Sequence, residues 1–282
     1  MLLEVKNLSH NYDLESSVTD YSLQDINFMI ERGQFVGLIG HTGSGKSTLV
    51  QTLNGLIKPT TGQIIIDDQD ITKTKNLKEV RQKVGLVFQY PEHQLFEETV
   101  FADIAFGPKN LGLTEQEVEQ RVKNALEVVN LDYETFKDRS PFKLSGGQQR
   151  RVAIAGVLAM EPEVLILDEP TAGLDPKTRQ EIIAEIVNLQ QKTSLTIILI
   201  SHRMEEVARL ADRILVLDEG KLVLDGTSAE VFQQQEFLQE IGLGVPQITE
   251  VLMKLKNKDN MIATDIFTIE EAKQEILKLM RG

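Results

Sequence analysis

The residues Gly40, His41, Thr42, Gly43, Ser44, Gly45, Lys46 and Ser47 decide how this chain is read. Immediately before them, Phe35, Val36, Gly37, Leu38 and Ile39 form an apolar run of the kind a buried strand shows. After them, Leu49, Val50, Leu53, Leu56 and Ile57 fall at helical spacing until Pro59 and Gly62 end the pattern. Residues 40–47 fit G-x4-G-K-[ST], and the flanking strand and helix are what that motif needs. Glycines let successive backbone N–H groups turn inward around a β-phosphate, and the helix start adds its partial positive charge. Residues 40–48 are therefore expected to hold a nucleoside triphosphate, with Lys46 on the β- and γ-oxygens and the Ser47 hydroxyl on Mg²⁺.

A triphosphate site needs a carboxylate for the metal shell. Val164, Leu165, Ile166 and Leu167 form a second apolar run that ends in Asp168 and Glu169. Asp168 is expected beside the phosphate loop as a magnesium-shell residue. Glu169, one residue further, is expected to polarise a water for in-line attack on the γ-phosphate. An acidic pair at a strand end also suits an ordinary turn, so this reading leans on the loop at 40–47.

Outward from these two motifs the pattern is strand and helix in alternation. Residues 2–8, 22–30, 63–67, 84–88, 196–200 and 214–217 read as strands, and 176–190 and 204–210 as helices. That alternation argues for an α/β domain with a mostly parallel sheet covered on both faces. Between residues 91 and 160 the pattern turns helical: Thr114 and Glu117 form a capping-box signature, and Val118, Val122, Ala125, Leu126 and Val129 share a face. Residues 231–282 read as a helical extension broken at Gly242, Gly244 and Pro246. A second capping signature lies at Thr268 and Glu271, followed by Ala272, Ile276, Leu279 and Met280 on one face.

Composition narrows the setting. The 282 residues carry 43 acidic and 30 basic side chains, a formal charge of −13, which disfavours nucleic acid as the main ligand. The chain has no cysteine, so no disulfide, zinc–thiolate or thiol chemistry is expected, and a reducing, intracellular location suits it. The first six residues include Glu4 and Lys6 and do not read as a secretory leader. No run approaches the roughly 18 apolar residues of a membrane span.

Leu144, Ser145, Gly146, Gly147 and Gln148 separate this chain from other phosphate-loop enzymes. A serine and two bare glycine amides at the start of a helix expected over 149–160 make a second anion site. With these residues the chain resembles the ATP-binding cassette ATPases, over residues 1 to about 230. The resemblance implies a P-loop NTPase with a RecA-like parallel core sheet, an antiparallel β subdomain, an inserted helical subdomain over about 91–160 and the extension at 231–282. It also implies that Ser145, Gly146, Gly147 and Gln148 grip the γ-phosphate of ATP bound to a partner cassette, and that Asp175 crosses to that partner. Gly173 stands where alanine is common in the family. Gln89 is implied as a sensor of Mg²⁺ and γ-phosphate, and His202 as a holder of γ-phosphate and attacking water. Tyr12 is placed like the aromatic that stacks on adenine; a strand-end surface aromatic is the alternative.

The stretch from Phe88 through Pro91, Glu92, His93, Gln94, Leu95 and Phe96 to Val100, then Asp103 to Pro108, is similar to the energy-coupling factor transporter ATPases. Within that group it looks more like the second of two paired ATPases. The resemblance implies a head-to-tail cassette dimer, with an identical or related partner, on the cytoplasmic face of the cell membrane. A transmembrane coupling subunit and a substrate-binding membrane subunit complete the implied transporter, which takes up a vitamin or transition-metal ion. Glu92, Glu97 and Glu98 are expected on a short helix, either offering carboxylates to a basic coupling helix or simply solvated. The terminal apolar stripe is expected against a partner's tail or against its own domain. Other readings are a cassette of another importer class, a non-transport or regulatory cassette, and a P-loop kinase; Leu144 to Gln148 and His202 have no purpose in the last.

Overall fold

The computed structural model describes residues 1–12, 21–256 and 262–279. Among the described residues ten strands are formed in chain order: β1 (Leu3–His10), β2 (Leu23–Ile30), β3 (Phe35–Ile39), β4 (Thr61–Ile66), β5 (Gln69–Asp70), β6 (Val84–Val87), β7 (Val164–Asp168), β8 (Thr196–Ile200), β9 (Arg213–Asp218) and β10 (Lys221–Gly226). They build a four-stranded sheet in the order β2-β1-β4-β5 and a six-stranded sheet in the order β10-β9-β3-β8-β7-β6. The smaller sheet is antiparallel throughout. In the larger one β9, β3, β8, β7 and β6 run parallel, and β10 turns back antiparallel at the edge. Strands β3, β6 and β8 are buried along their whole length, which is why they read as continuous apolar runs.

The topology places the chemistry. β3, β8 and β7 are neighbours, so the segments following Ile39, Ile200 and Asp168 emerge side by side at one edge of the sheet. The segment after β6 joins them from beyond β7. In open parallel sheets this carboxyl edge is where ligands bind.

Helices α1 (Lys46–Leu53), α2 (Leu77–Lys83), α3 (Val100–Asn110), α4 (Glu115–Val128), α5 (Tyr133–Phe136), α6 (Gly146–Leu158), α7 (Pro176–Thr193) and α8 (Met204–Leu210) follow the alternation expected from the sequence. The capping box of α4 is formed: the Thr114 hydroxyl accepts from the Glu117 amide, and Glu117 accepts from the Thr114 amide at 2.8 Å. Val118, Val122 and Leu126 of that helix pack with Ile104, Val152, Leu165, Leu167, Ile182 and Ile186 in one cluster. Helical insertion and parallel sheet therefore share a core, with α6 passing between them. Each fully buried Val, Leu or Ile there contributes about 1.5–3 kcal/mol by removal from water. α6 begins at Gly146, three residues ahead of its expected start, because Ser145 caps it.

Helices α9 (Ser228–Phe232), α10 (Gln235–Glu240), α11 (Gln247–Lys256) and α12 (Ile269–Leu279) complete the chain. Val231, Phe232, Leu238 and Leu243, just past the expected division at 230, pack with Ile39, Met204, Val207, Ile214 and Val216. Leu252, Ile262 and Ala272, with Ile248 and Ile276 around them, form a separate small cluster. Thr268 caps α12 by accepting from the Glu271 amide. Ala272 and Ile276 of the expected stripe thus face α11, whereas Met280 lies outside the described residues.

Candidate active site

The phosphate loop is built by exclusion of side chains. A Cβ at Gly40 would collide with the Leu217 carbonyl and the Ser44 hydroxyl, and one at Gly45 with the Ser22 carbonyl. Gly45 has φ of +102°, a conformation an L side chain rarely adopts, and it stands at the N-cap of α1 with no side-chain cap. The first-turn amides of α1 are left open to an anion. Into this concavity folds Lys46, buried, its Nζ donating to the Gly40 and His41 carbonyls at 2.7 and 2.8 Å. Burial lowers the Lys46 pKa from the ordinary lysine value, opposed by the charges of Asp168 and Glu169. His41 Nε2 lies 3.0 Å from Asp218 Oδ1, which steadies the rim of the loop. Thr42, Gly43 and Ser47 are exposed, and Ser44 is buried.

Asp168 ends β7 opposite Ile200 of β8. Burial, then the neighbouring Glu169 charge, pushes its pKa up to about 6, against the pull of Lys46 and His202. A carboxylate that has lost water in this way gains from a cation placed beside it. Glu169 follows in the left-handed region, φ +47°. A non-glycine residue held there carries about 1–3 kcal/mol of strain, and here the turn aims its carboxylate. Gln89 Nε2 donates to Glu169 Oε2 at 3.2 Å, and His202 Nε2 lies 2.8 Å from Glu169 Oε1. Gln89 and His202, from two other strand ends, thus converge on the Glu169 carboxylate.

Tyr12 is 65% exposed, with its hydroxyl 3.2 Å from the Thr48 hydroxyl and its ring edge-on to His10 at 4.6 Å. Its free face stands near the start of α1, as an aromatic platform for a base requires.

Ser145, Gly146, Gly147 and Gln148 form a different group. Ser145 caps α6 by accepting from the Gln148 amide, and Gln148 Oε1 accepts from the Ser145 amide at 3.1 Å. Asp175 caps α7, accepting from the Lys177 and Thr178 amides and the Thr178 hydroxyl; these bonds hold its carboxyl below its usual pKa. A Cβ on Gly147 would press on the Thr178 methyl at 2.9 Å, so the two caps adjoin. Among the described residues no hydrogen bond or ion pair links this group to residues 40–48. Within one chain the two groups thus stand apart.

Glu92 departs from expectation. It lies in a 3₁₀ turn, Pro91–Gln94, and its carboxylate faces inward to Arg150, with Nη2 to Oε1 at 3.1 Å. Glu97 and Glu98 are in no helix, and the Glu97 amide donates to Asp103 at 2.9 Å. Arg150, fully buried, requires a counter-charge, and that requirement overrides display of Glu92 to solvent. Arg150 went unread in the sequence, although two residues past the signature it was open to suspicion.

A phosphate cradle, a strand-end Asp–Glu pair with Gln and His on the glutamate, and a Ser-Gly-Gly helix start together define an ATP-binding cassette. The family model for ABC transporters matches residues 23–172. The energy-coupling factor transporter ATP-binding protein EcfA2 of Clostridium tetani is 58% identical over 100% of this chain and 98% of its own length. That of Clostridium perfringens is 56% identical over 100% and 99%. Among solved structures, cbiO1 from Clostridium perfringens, described as part of the ABC transporter complex cbiONQ, aligns with a TM-score of 0.75 at 42% identity, over 89% of this chain and 98% of its own. The cassette MJ0796, a dimer in a post-hydrolysis state with ADP and Pi, aligns with a TM-score of 0.71 at 29% identity, over 80% and 99%. This chain belongs to the ABC transporter ATPases, and within them to the ATP-binding subunits of energy-coupling factor transporters.

Proposed function

We propose that this chain hydrolyses Mg-ATP to drive an energy-coupling factor importer for a micronutrient, a vitamin or transition-metal ion, from the cytoplasmic face of the membrane. None of its described helices is long and apolar enough to cross a membrane, so the spanning would fall to a coupling subunit and a substrate-binding subunit. A second cassette, identical or related, completes the ATP sites head to tail.

The observation that carries this reading is the Glu169 carboxylate held between Gln89 and His202 beside Asp168. Held at both oxygens, it is oriented before substrate arrives, as a general base must be. Lys46 leaves the Gly40 and His41 carbonyls for the β- and γ-phosphate oxygens. Tyr12 stacks on adenine, and Gly40 to Thr48 wrap the phosphates. His202 holds the γ-phosphate and orients the attacking water, whose proton passes to Glu169. Ser145, Gly146, Gly147 and Gln148, with Asp175, complete the partner's site, so hydrolysis requires closure of the pair.

The donor set suits magnesium, which favours hard oxygen ligands and keeps several waters. Ser47 supplies an exposed hydroxyl and Asp168 a desolvated carboxylate, and Gln89, with its amide nitrogen on Glu169, has its carbonyl oxygen to offer. Bound there with ATP, the ion would neutralise charge developing on the phosphates.

Glu169→Gln is the test. It keeps the shape and removes the base, so turnover should fall about 10²–10⁴-fold while ATP binding persists and the closed, ATP-bound pair accumulates. Undiminished hydrolysis would refute the assignment. Purification from detergent-solubilised membranes should bring down a second cassette and membrane subunits; recovery of no membrane protein would defeat the transport reading.

A further inference from the structure

Arg150 is the largest fully buried side chain among the described residues, 1% exposed, and it is charged. A guanidinium removed from water needs both a counter-ion and partners for its N–H groups. Nε and Nη2 donate to Glu92 at 3.1 to 3.2 Å. Nη1 donates to the Pro170 carbonyl at 3.0 Å and to the Ala172 carbonyl at 2.8 Å. Those partners are not scattered. Glu92 lies three residues beyond Gln89, which touches Glu169. Pro170 directly follows Glu169, and the Ala172 amide closes a turn onto the Glu169 carbonyl at 3.0 Å. Arg150 itself rides in the second turn of α6, whose first turn is capped by Ser145. Its neighbour Arg151 faces elsewhere, to Glu181 and Glu185 of α7.

We propose that Arg150 is a positioning residue: one planar guanidinium fastens the signature end of α6, the arm carrying Gln89 and the turn carrying Glu169 into a single rigid unit. The face that completes the partner's ATP site and the face that hydrolyses the chain's own ATP then move together. This rests on the roles proposed for Ser145, Gln89 and Glu169. Five hydrogen bonds to three acceptor groups are within reach of a guanidinium but not of a lysine ammonium with its three donors, so a positive charge alone does not suffice.

The test separates positioning from stability. Replacing both ends of a buried ion pair by apolar side chains of similar size is often neutral or stabilising, so E92M/R150M should stay folded and be destabilised only by loss of the donor to the Pro170 and Ala172 carbonyls. In the full chain without nucleotide, hydrogen exchange at residues 89–94, 146–150 and 169–173 should rise about tenfold or more, with the rest of the protein unchanged. In the complex that the full chain co-purifies with, kcat should fall about tenfold or more with KM for ATP shifting less than about twofold. R150K should show the same pattern and fail to rescue, and it carries the test if the double variant does not fold. A folded variant with parental exchange and parental kcat overturns the proposal, as does a loss of protection spread over the whole chain. A parent complex that hydrolyses no ATP would sink the functional reading, while the exchange result on the free chain would still judge the lock.

Discussion

Two helices of this molecule begin at glycines and offer their amides to an anion, yet they are prepared in opposite ways. α1 starts at Gly45 with no side-chain cap, and its open concavity is filled by Lys46. α6 starts with a complete capping box in which Ser145 and Gln148 satisfy each other. The first is a site held ready by the chain that owns it, with a cation already in place. The second is a closed helix end whose bonds are satisfied within the chain, and in the role proposed for it those bonds would be exchanged for a phosphate brought by another molecule. The difference suits a machine whose ATP binds to one subunit first and is completed by a second, because a self-satisfied end does not compete for free nucleotide.

The largest effect is expected at the open end. Lys46→Ala removes the charge that meets the phosphates, and both hydrolysis and affinity for a fluorescent ATP analogue should fall about 10²–10³-fold. Parental affinity in that variant would break the contrast at once. Ser145→Ala should separate the two ends: hydrolysis by the assembled pair drops about tenfold or more, the free chain binds nucleotide as before, and the lost cap destabilises by about 0.5–2 kcal/mol in a denaturant titration. Weakened nucleotide binding by the free S145A chain would show that the second end serves its own site. The tail comes next. Truncation after Leu243 removes α11, α12 and the Phe267 ring that lies against Phe232, but leaves Val231, Phe232 and Leu238 on Met204, Val207 and Ile214, so the chain should stay folded and pair more weakly without nucleotide. Unchanged pairing by light scattering would confine those helices to their own domain. Smallest is Tyr12→Phe, which loses the Thr48 bond and keeps the ring, so affinity should change about twofold or less; Tyr12→Ala should lose about 1–3 kcal/mol of stacking. Equal behaviour of the two variants would make Tyr12 a surface aromatic.

Much of this was legible in the chain before folding. The phosphate loop announces itself because its glycines, lysine and serine are contiguous, and the strand and helix around them carry their own periodicities. Asp168 and Glu169 are contiguous too, and the structure places Gln89 and His202 on the second of them. Glu92 was misjudged because acidic residues in a polar stretch look alike when their partners are distant. Arg150 is 58 residues from Glu92, and read along the chain each suggests a solvated charge. The C-terminal helices were recognised from periodicity, but which face meets which neighbour was not.

By itself the sequence determined what is local: the strand–loop–helix at 35–53, the alternation that makes a parallel sheet, and, with the contiguous Leu144 to Gln148 signature, the family; the capping box that starts α6 at Gly146 was not foreseen. Only the tertiary structure decided what is brought together: Gln89 and His202 on the two oxygens of Glu169, Lys46 within reach of Asp168, and Glu92 turned inward to Arg150. The reason is physical. Local elements follow from backbone sterics and side-chain periodicity over a few residues. The pairing of charges across the fold follows from which of them lose water when the sheet and helices close over them.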